Sequence, residues 1–382
     1  MTRPRTGLVL TGGGARAAYQ VGALLALREQ LGEAFCFDIL AGASAGAINS
    51  TTLASYADDF GAGLAQLRAT WSALTPDRVY RTDVGSLLTL GTRWMRQLST
   101  GGLLGGPSAN ALLDTAPLGD LLRELLPTER IAGHVASGKL YGAAVTATSY
   151  HSGSALTFFD GAQEIHPWAR STRLGVRHPI SVEHVLASAA IPLFFPPISI
   201  EGSWFGDGCL RLNAPLSPAI HLGAERIVAI GIRYARTPSE TDRLNRASAH
   251  AAPSVSEIGG VLLNAIFLDS LEADVERMMR INATLTLLSE TQHARQLLRR
   301  IPLLVLRPSR DLGKLAIEQY QRFPKMLRYL LRGIGASGES GWDLVSYLAF
   351  EPGYIARLFE LGYDDTRMRR ADVEAFFAGT TC

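Results

Sequence analysis

The 382-residue sequence has little that would staple, anchor or strongly charge it. Cys36, Cys209 and Cys382 are scattered, with no CxxC pair, which fits neither a disulfide framework nor a zinc site and suits a reducing compartment. No window approaches the roughly 18 uninterrupted apolar residues of a transmembrane helix, because glycines, prolines and charges break every candidate. The apolar run Leu8 to Leu10 is too short for the core of a signal peptide. An excess of one charge sign is also missing: 37 Lys and Arg stand against 35 Asp and Glu, a net charge of +2, so no global field attracts nucleic acid. Arg295, Arg299 and Arg300, and Arg367, Arg369 and Arg370, read as solvated helix faces. No carboxylate or histidine grouping has metal-ligand spacing, and no repeat or low-complexity tract is present. These absences lead us to expect a soluble, cytoplasmic protein with no metal, no cofactor and no nucleic-acid partner. Its length is ample for a self-sufficient core.

What the sequence has is an alternation near its start: apolar run, glycine cluster, helix, apolar run, small-residue turn, helix. That order argues an α/β sandwich with a largely parallel sheet. Leu8 to Thr11 reads as the first strand, Ala15 to Leu31 as a helix, Phe37 to Ala41 as the next strand and Ala45 to Tyr56 as the next helix. Asp58 to Lys139 reads as helices interrupted by a mobile loop at Gly101, Gly102, Gly105, Gly106 and Pro107, a potential lid. Leu140 to Thr148 and Ala155 to Phe159 are β-prone around a turn at His151 to Gly153. A helix over Val182 to Ala190 and a buried strand over Ile227 to Ile232 follow. The polar stretch Arg236 to Pro253 reads as a linker or surface loop. Ser254 and Glu257 then have capping-box spacing for a long helix whose buried stripe would include Ile258, Val261, Leu262, Ala265, Leu268, Val275 and Met279. Ile301 to Leu306 reads as a further strand, and the remainder as helical with a kink at Pro324.

Two segments carry chemistry on their own terms. Gly42-Ala43-Ser44-Ala45-Gly46 lies between a strand and a helix, the setting of a nucleophile elbow, where small neighbours let strand and helix converge while the serine hydroxyl projects. Gly12-Gly13-Gly14-Ala15-Arg16 follows the first strand, where successive N–H groups and a helix N-terminus suit an oxyanion. The same run satisfies the dinucleotide pattern with Gly12, Gly14 and Ala17, but the one acidic candidate near the second strand, Asp38, falls at the start of that strand, the wrong end to hold a ribose. Asp207-Gly208 alone is an ordinary turn. Order alone permits a triad with His221, His250 or His293, although none of them has a distinctive setting.

Together, the glycine run with Arg16, the serine elbow, the Asp207-Gly208 step and Ala187-Ser188-Ala189-Ala190-Ile191-Pro192-Leu193-Phe194 resemble the patatin-like phospholipase family in order and approximate spacing, over about Thr6 to Leu216. Ala17 stands where that family commonly has glycine, and Cys209 where it commonly has glycine or alanine; both are small. The resemblance implies a three-layer α/β/α sandwich with a central largely parallel sheet and a helical C-terminal extension, divided as 6–310 and 311–382. It implies hydrolysis of lipid acyl esters by Ser44 as nucleophile and Asp207 as base, through an acyl-enzyme. Gly12, Gly13, Gly14 and Arg16 would form the oxyanion loop, with donors around Gly13 and Gly14, while Gly42, Gly46 and Gly208 shape the elbow and turn. Phe158, Phe159, Phe194, Phe195 and Trp204 are candidates for an acyl channel, and a lipid substrate implies peripheral contact with the inner face of the membrane. The alternatives are an inactive lipid-binding or scaffold protein and, less well supported, a nucleotide-binding protein.

Overall fold

Short apolar strands of alternating facing build a mixed sheet. The computed structural model describes residues 3–81, 110–247, 252–288, 298–323, 325–333 and 341–378, together with positions 85, 92, 99 and 335. The strands are β1 (Thr6–Leu10), β2 (Ile39–Ala43), β3 (Gly142–Ser149), β4 (Ala155–Gly161), β5 (Trp168–Arg170), β6 (Arg173–Arg177), β7 (Ile198–Ile200), β8 (Ser203–Asp207), β9 (Arg226–Ile230) and β10 (Leu303–Leu306). Their order is β10-β9-β1-β2-β3-β4-β6-β5, with β8 pairing β3 and β7 pairing β8. From β10 to β3 every pairing is parallel; β4 and β8 both run antiparallel to β3.

The period-2 rule sorts the central strands onto two cores. Leu8, Leu10, Leu40, Val228 and Ile230 face one, while Val9, Ile39, Ala41, Ile227 and Ala229 face the other. The first face is covered by α1 (Ala18–Leu31), α2 (Ala45–Ser55), α3 (Phe60–Ser72), the short α4 (Pro76–Val79), α5 (Ala116–Leu125), α6 (Arg130–Ala136) and α7 (Val182–Ser188). The second is covered by α8 (Ser217–His221) and, after α9 (Pro238–Ala247) and α10 (Val255–Phe267), by α11 (Asp269–Thr286). The C-terminal helices α12 (Leu312–Ile317), α13 (Lys325–Gly333), α14 (Trp342–Leu348), α15 (Pro352–Met368) and α16 (Arg370–Phe377) complete the extension. Among them, α15 lies against α1 at backbone distance, since a Cβ at Gly22 would fall 2.1 Å from Phe359 O and one at Gly362 the same distance from Tyr19 O. A helix so enclosed needs no amphipathic stripe, and α1 is buried nearly all round from Ala18 to Leu27.

Several expectations are corrected. Strand β2 begins and ends two residues later than expected, because Asp38 spends its carboxylate on the Thr6 N–H and Arg3 instead of joining the strand. The stretch read as a polar linker contains α9, and the long helix after Ser254 is broken at Leu268 into α10 and α11. Its capping box is present, but the expected stripe is not: Ile258, Val261, Leu262 and Met279 are exposed. α10 packs instead through Ser256, Gly260, Leu263 and Phe267, with Gly259 and Gly260 letting Leu344 and Asp343 of α14 approach closely. The lid glycines 101–107, Pro324, His250 and His293 lie outside the described residues. Among the described residues no helix is long and apolar enough to cross a membrane.

Candidate functional site

Parallel strands deliver their C-terminal ends to one edge of a sheet, and the candidate residues collect there. β1 and β2 are paired with Leu10 opposite Gly42, so the glycine loop leaves β1 directly beside the elbow leaving β2. The approach demands glycine: a Cβ at Gly12 would fall 2.2 Å from the Ser44 Cβ. At Gly46 it would meet Leu10 O at 2.2 Å, at Gly42 it would meet Ser50 Oγ at 2.2 Å, and at Gly208 Thr146 O at 1.9 Å. Gly14, at φ +56°, has a backbone conformation that favours glycine, and a Cβ there would fall 2.1 Å from Tyr347 O.

Ser44 caps α2 with φ 54° and ψ −135°, a conformation that costs a non-glycine residue of order 1–3 kcal/mol and holds the hydroxyl off the helix axis. Its N–H donates to Ser188 Oγ at 2.9 Å, and Ser188 donates in turn to Thr146 O at 2.6 Å. The segment around Ser188 therefore buttresses the elbow, and Ala190 O accepts from the Asp207 N–H at 3.0 Å. Asp207 ends β8 opposite Ala147 of β3, its carbonyl held by Thr148 Oγ1 at 2.8 Å. Two strand pairings, β2 with β3 and β3 with β8, thus bring residues 163 positions apart in the sequence to one point.

Both side chains are fully buried. Asp207 Oδ1 accepts from the Cys209 N–H at 2.9 Å, whereas Ser44 Oγ and Asp207 Oδ2 make no aligned hydrogen bond. Burial pushes the Asp207 carboxyl up to about 7; the nearby Ser44 hydroxyl and the Cys209 N–H and thiol hold it back. Cys209 fills the space between Asp207 and Gly12, and burial beside that carboxylate pushes its thiol well up.

Arg16 is buried and turned away from Ser44 toward the C-terminal helices. Nε donates to Ser346 Oγ at 2.7 Å, a terminal nitrogen pairs with Asp343 Oδ1 at 2.8 Å, and the guanidinium lies over the Tyr347 ring at 4.4 Å. Asn264 of α10 accepts from both Arg16 and Tyr347. Asn49 binds Gln20, the Ala17 carbonyl and the Trp71 indole, locking the glycine-loop helix to α2 and α3. Sequence reading gave none of these partners. Only their polar identity in apolar surroundings signalled them.

A narrow, nearly closed apolar slot with a cavity volume of about 30 Å³ meets Ser44 and is walled by Ile48, Trp71, Leu118, Leu122, Phe195 and Phe350. Of the aromatic residues expected at an acyl channel, Phe195 lines it. Phe158 packs on Phe205 and His184, Phe159 stacks on Trp168 in the core, and Trp204 is exposed. His134, His178, His184 and His221 are engaged elsewhere. His221 stacks on Trp168 at 4.6 Å and is pushed down to about 4 by burial and by Arg170 and Arg173. His184 is also pushed down to about 4, by burial and His178, and closes the capping box of α7 with Ser181. His134 meets the Ser55 carbonyl. Asp38 is held at the far end of β2 by the Thr6 N–H and Arg3, away from the glycine loop where a ribose-binding acid would be needed. Among the described residues no His, Cys, Asp and Glu grouping could hold a metal ion.

No curated protein gives a sequence match to the chain. Solved structures are similar at low identity: VipD from Legionella pneumophila (14% identity, 97% of this chain and 67% of that chain, TM-score 0.33) and human GIVD cytosolic phospholipase A2 (13%, 98% and 60%, TM-score 0.44). The complex of ExoU with SpcU from the type III secretion system of Pseudomonas aeruginosa is similar too (13%, 90% and 70%, TM-score 0.27). The chain spans about 60% of the length of the phospholipase A2. The family model described as patatin-like phospholipase matches residues 8–220, more than half of the 382. The chain belongs to the patatin-like phospholipase family, whose members are serine-type hydrolases of lipid esters.

Proposed function

We propose that the protein hydrolyses acyl ester bonds of lipids with Ser44 as nucleophile and Asp207 as its base, through an acyl-enzyme. The observation that carries this reading is the buried Ser44 hydroxyl at an apolar slot, beside a buried Asp207 carboxyl that it holds back, with neither Ser44 Oγ nor Asp207 Oδ2 in an aligned hydrogen bond. Unmet buried polar groups cost about 1–3 kcal/mol each, a cost that makes sense where a substrate supplies the partner.

In the proposed cycle Asp207 takes the Ser44 proton as Oγ attacks the ester carbonyl, and the acyl chain lies along Ile48, Trp71 and Phe195. The charge developing on the carbonyl oxygen falls to backbone N–H groups of the Gly12–Gly14 loop. Arg16 is a positioning residue, tying that loop to α14. Asp207 returns the proton to the leaving alcohol, then activates the water that releases the fatty acid. A carboxyl raised to about 7 is well matched to both tasks near neutral pH. Every step is assigned to groups of the chain itself.

The test is covalent labelling by a fluorophosphonate together with ester turnover. Ser44→Ala should abolish both in a folded protein, and Asp207→Asn should lower turnover by ~10²–10⁴. His221→Ala should retain most activity. Activity lost with His221→Ala and kept with Asp207→Asn would replace the dyad by a serine–histidine mechanism. A folded wild type that neither labels nor turns over any ester would favour a lipid-binding or scaffold role.

A further inference from the structure

The apolar residues of α10 face solvent although nothing in their sequence predicts it. Val255 is 68% exposed, Ile258 49%, Val261 67% and Leu262 59%. With exposed Ala265 they form one continuous helical face about 15 Å long. Glu257 is the one charged residue within α10, and its carboxylate is turned back onto the Ser254 N–H and hydroxyl in the capping box. Against the start of this helix comes a positive element. Gly335, just beyond α13, abuts Ser254, where its Cβ would fall 2.7 Å from the Ser254 Cβ. In α13, Lys325 and Arg332 are exposed and make no ion pair among the described residues, and Tyr329 is 70% exposed.

We propose that the α10 face and the basic α13 form a docking surface for a bilayer bearing anionic headgroups, with Val255, Ile258, Val261 and Leu262 entering the headgroup–acyl boundary. The chemistry matches on both counts: an apolar helix face gains the transfer free energy of its side chains, and neighbouring cations meet the negative surface. A bare apolar face would suit a second protein copy equally; Arg332, one turn before the Gly335 that abuts Ser254, and Lys325 further along the same helix, neither in an ion pair among the described residues, favour the anionic bilayer. The location favours it as well. Asn264, on the same helix, accepts from the Arg16 that anchors the glycine loop, so docking would bring the lipid supply to the element that braces the proposed site. The inference rests on the lipid-hydrolase reading, which gives the contact its purpose.

The experiment is flotation of the full chain with vesicles of phosphatidylcholine alone or with about 30 mol% phosphatidylserine. It is run in parallel on Ser44→Ala, so that binding is read without chemistry. The wild type should bind the anionic vesicles and release as salt rises. The triple variant Ile258→Gln, Val261→Gln, Leu262→Gln should bind at least ~10²-fold more weakly to them. Lys325→Glu with Arg332→Glu should lose at least ~10-fold on anionic vesicles and nothing on neutral ones. Both variants should hydrolyse a soluble acetyl ester as the wild type does, while their turnover of vesicle lipid falls with binding. A wild type indifferent to both vesicles, or a triple variant that binds as well as wild type, overturns the proposal. So does a wild-type dimer that the triple variant dissociates, which makes the face a subunit interface. Soluble-ester turnover lost in the wild type itself would instead refute the hydrolase reading and leave the vesicle result to stand alone.

Discussion

Replacing Asp207 by asparagine removes one ionisation and keeps the shape, so its effect on stability can be worked from the structure. The carboxyl has an ordinary value of 3.8 and is pushed to about 7 by burial. Between these values the native state holds a proton that the unfolded state has released. The unfolded chain therefore binds fewer protons, and stability falls as pH rises through this window. At 1.36 kcal/mol per pH unit the loss amounts to about 4 kcal/mol, absent near pH 4 and complete somewhat above pH 7. Asparagine pays none of it. Its Oδ1 can still accept from the Cys209 N–H, and its amide can donate toward Ser44 Oγ. Urea unfolding of both proteins from about pH 4 to 9 should therefore give a stability difference that grows with pH in favour of Asp207→Asn, up to about 4 kcal/mol. In thermal unfolding that corresponds to roughly 5 °C for a chain of this length. The slope is the readout, since any change in packing adds only a constant. A difference that stays flat from pH 4 to 9 would refute the raised carboxyl, and with it the expectation that kcat/KM rises about tenfold per pH unit below 7 and levels off above.

Ser44→Gly should raise stability by about 1–3 kcal/mol while abolishing turnover, because glycine accepts φ 54° without strain; chemical denaturation of Ser44→Gly beside Ser44→Ala separates strain from the lost hydroxyl. Gly12→Ala should silence fluorophosphonate labelling, since its Cβ would stand 2.2 Å from that of Ser44 and displace the elbow or the loop. Arg16→Ala should cost about 3–5 kcal/mol by leaving the Asp343 carboxylate without its buried partner, and a double-mutant cycle with Asp343→Asn should recover part of that as coupling. Turnover should persist in excess chelator; activity lost on chelation and restored by one divalent ion would contradict the proposed mechanism.

What was legible in the sequence was local. Leu8 to Leu10 followed by three glycines, and Phe37 to Ala41 followed by small residues around Ser44, announce strand–turn–helix units because the steric demand is met by neighbours in the chain. The family resemblance then supplied Asp207, whose Asp-Gly step alone means only a turn. Partners brought by the sheet were not legible: the Ser188 hydroxyl beneath the elbow and the Thr148 hydroxyl on the Asp207 carbonyl depend on β2 and β8 pairing in succession along one edge of β3. The face of α10 was misread for a physical reason. Periodicity finds an apolar stripe but assumes that the stripe is what packs, whereas Gly259 and Gly260 let α14 settle on the opposite side. Of the aromatic residues expected at an acyl channel, Phe158 and Phe159 failed similarly, since they sit on adjacent positions of β4 and so face opposite sides of the sheet.

The family match ends at residue 220, yet the architecture of the site does not. β1, which launches the glycine loop, is flanked on one side by β2 and on the other by β9, so without residues 226–230 the loop would hang from an edge strand with a row of unpaired backbone groups. The loop itself is held from beyond residue 340: Gly14 rests on the Tyr347 carbonyl, and Arg16 spends its guanidinium on Ser346 and Asp343. Those contacts fix backbone N–H groups that an oxyanion would need, and fixed donors cost no reorganisation when charge develops. Strain at Ser44, an unmet Asp207 oxygen and a carboxyl kept from water are each unfavourable by themselves. They persist because helices from both ends of the chain over-determine the loop and the elbow, and that makes α14 a positioning element of the proposed site although it contributes no reacting atom.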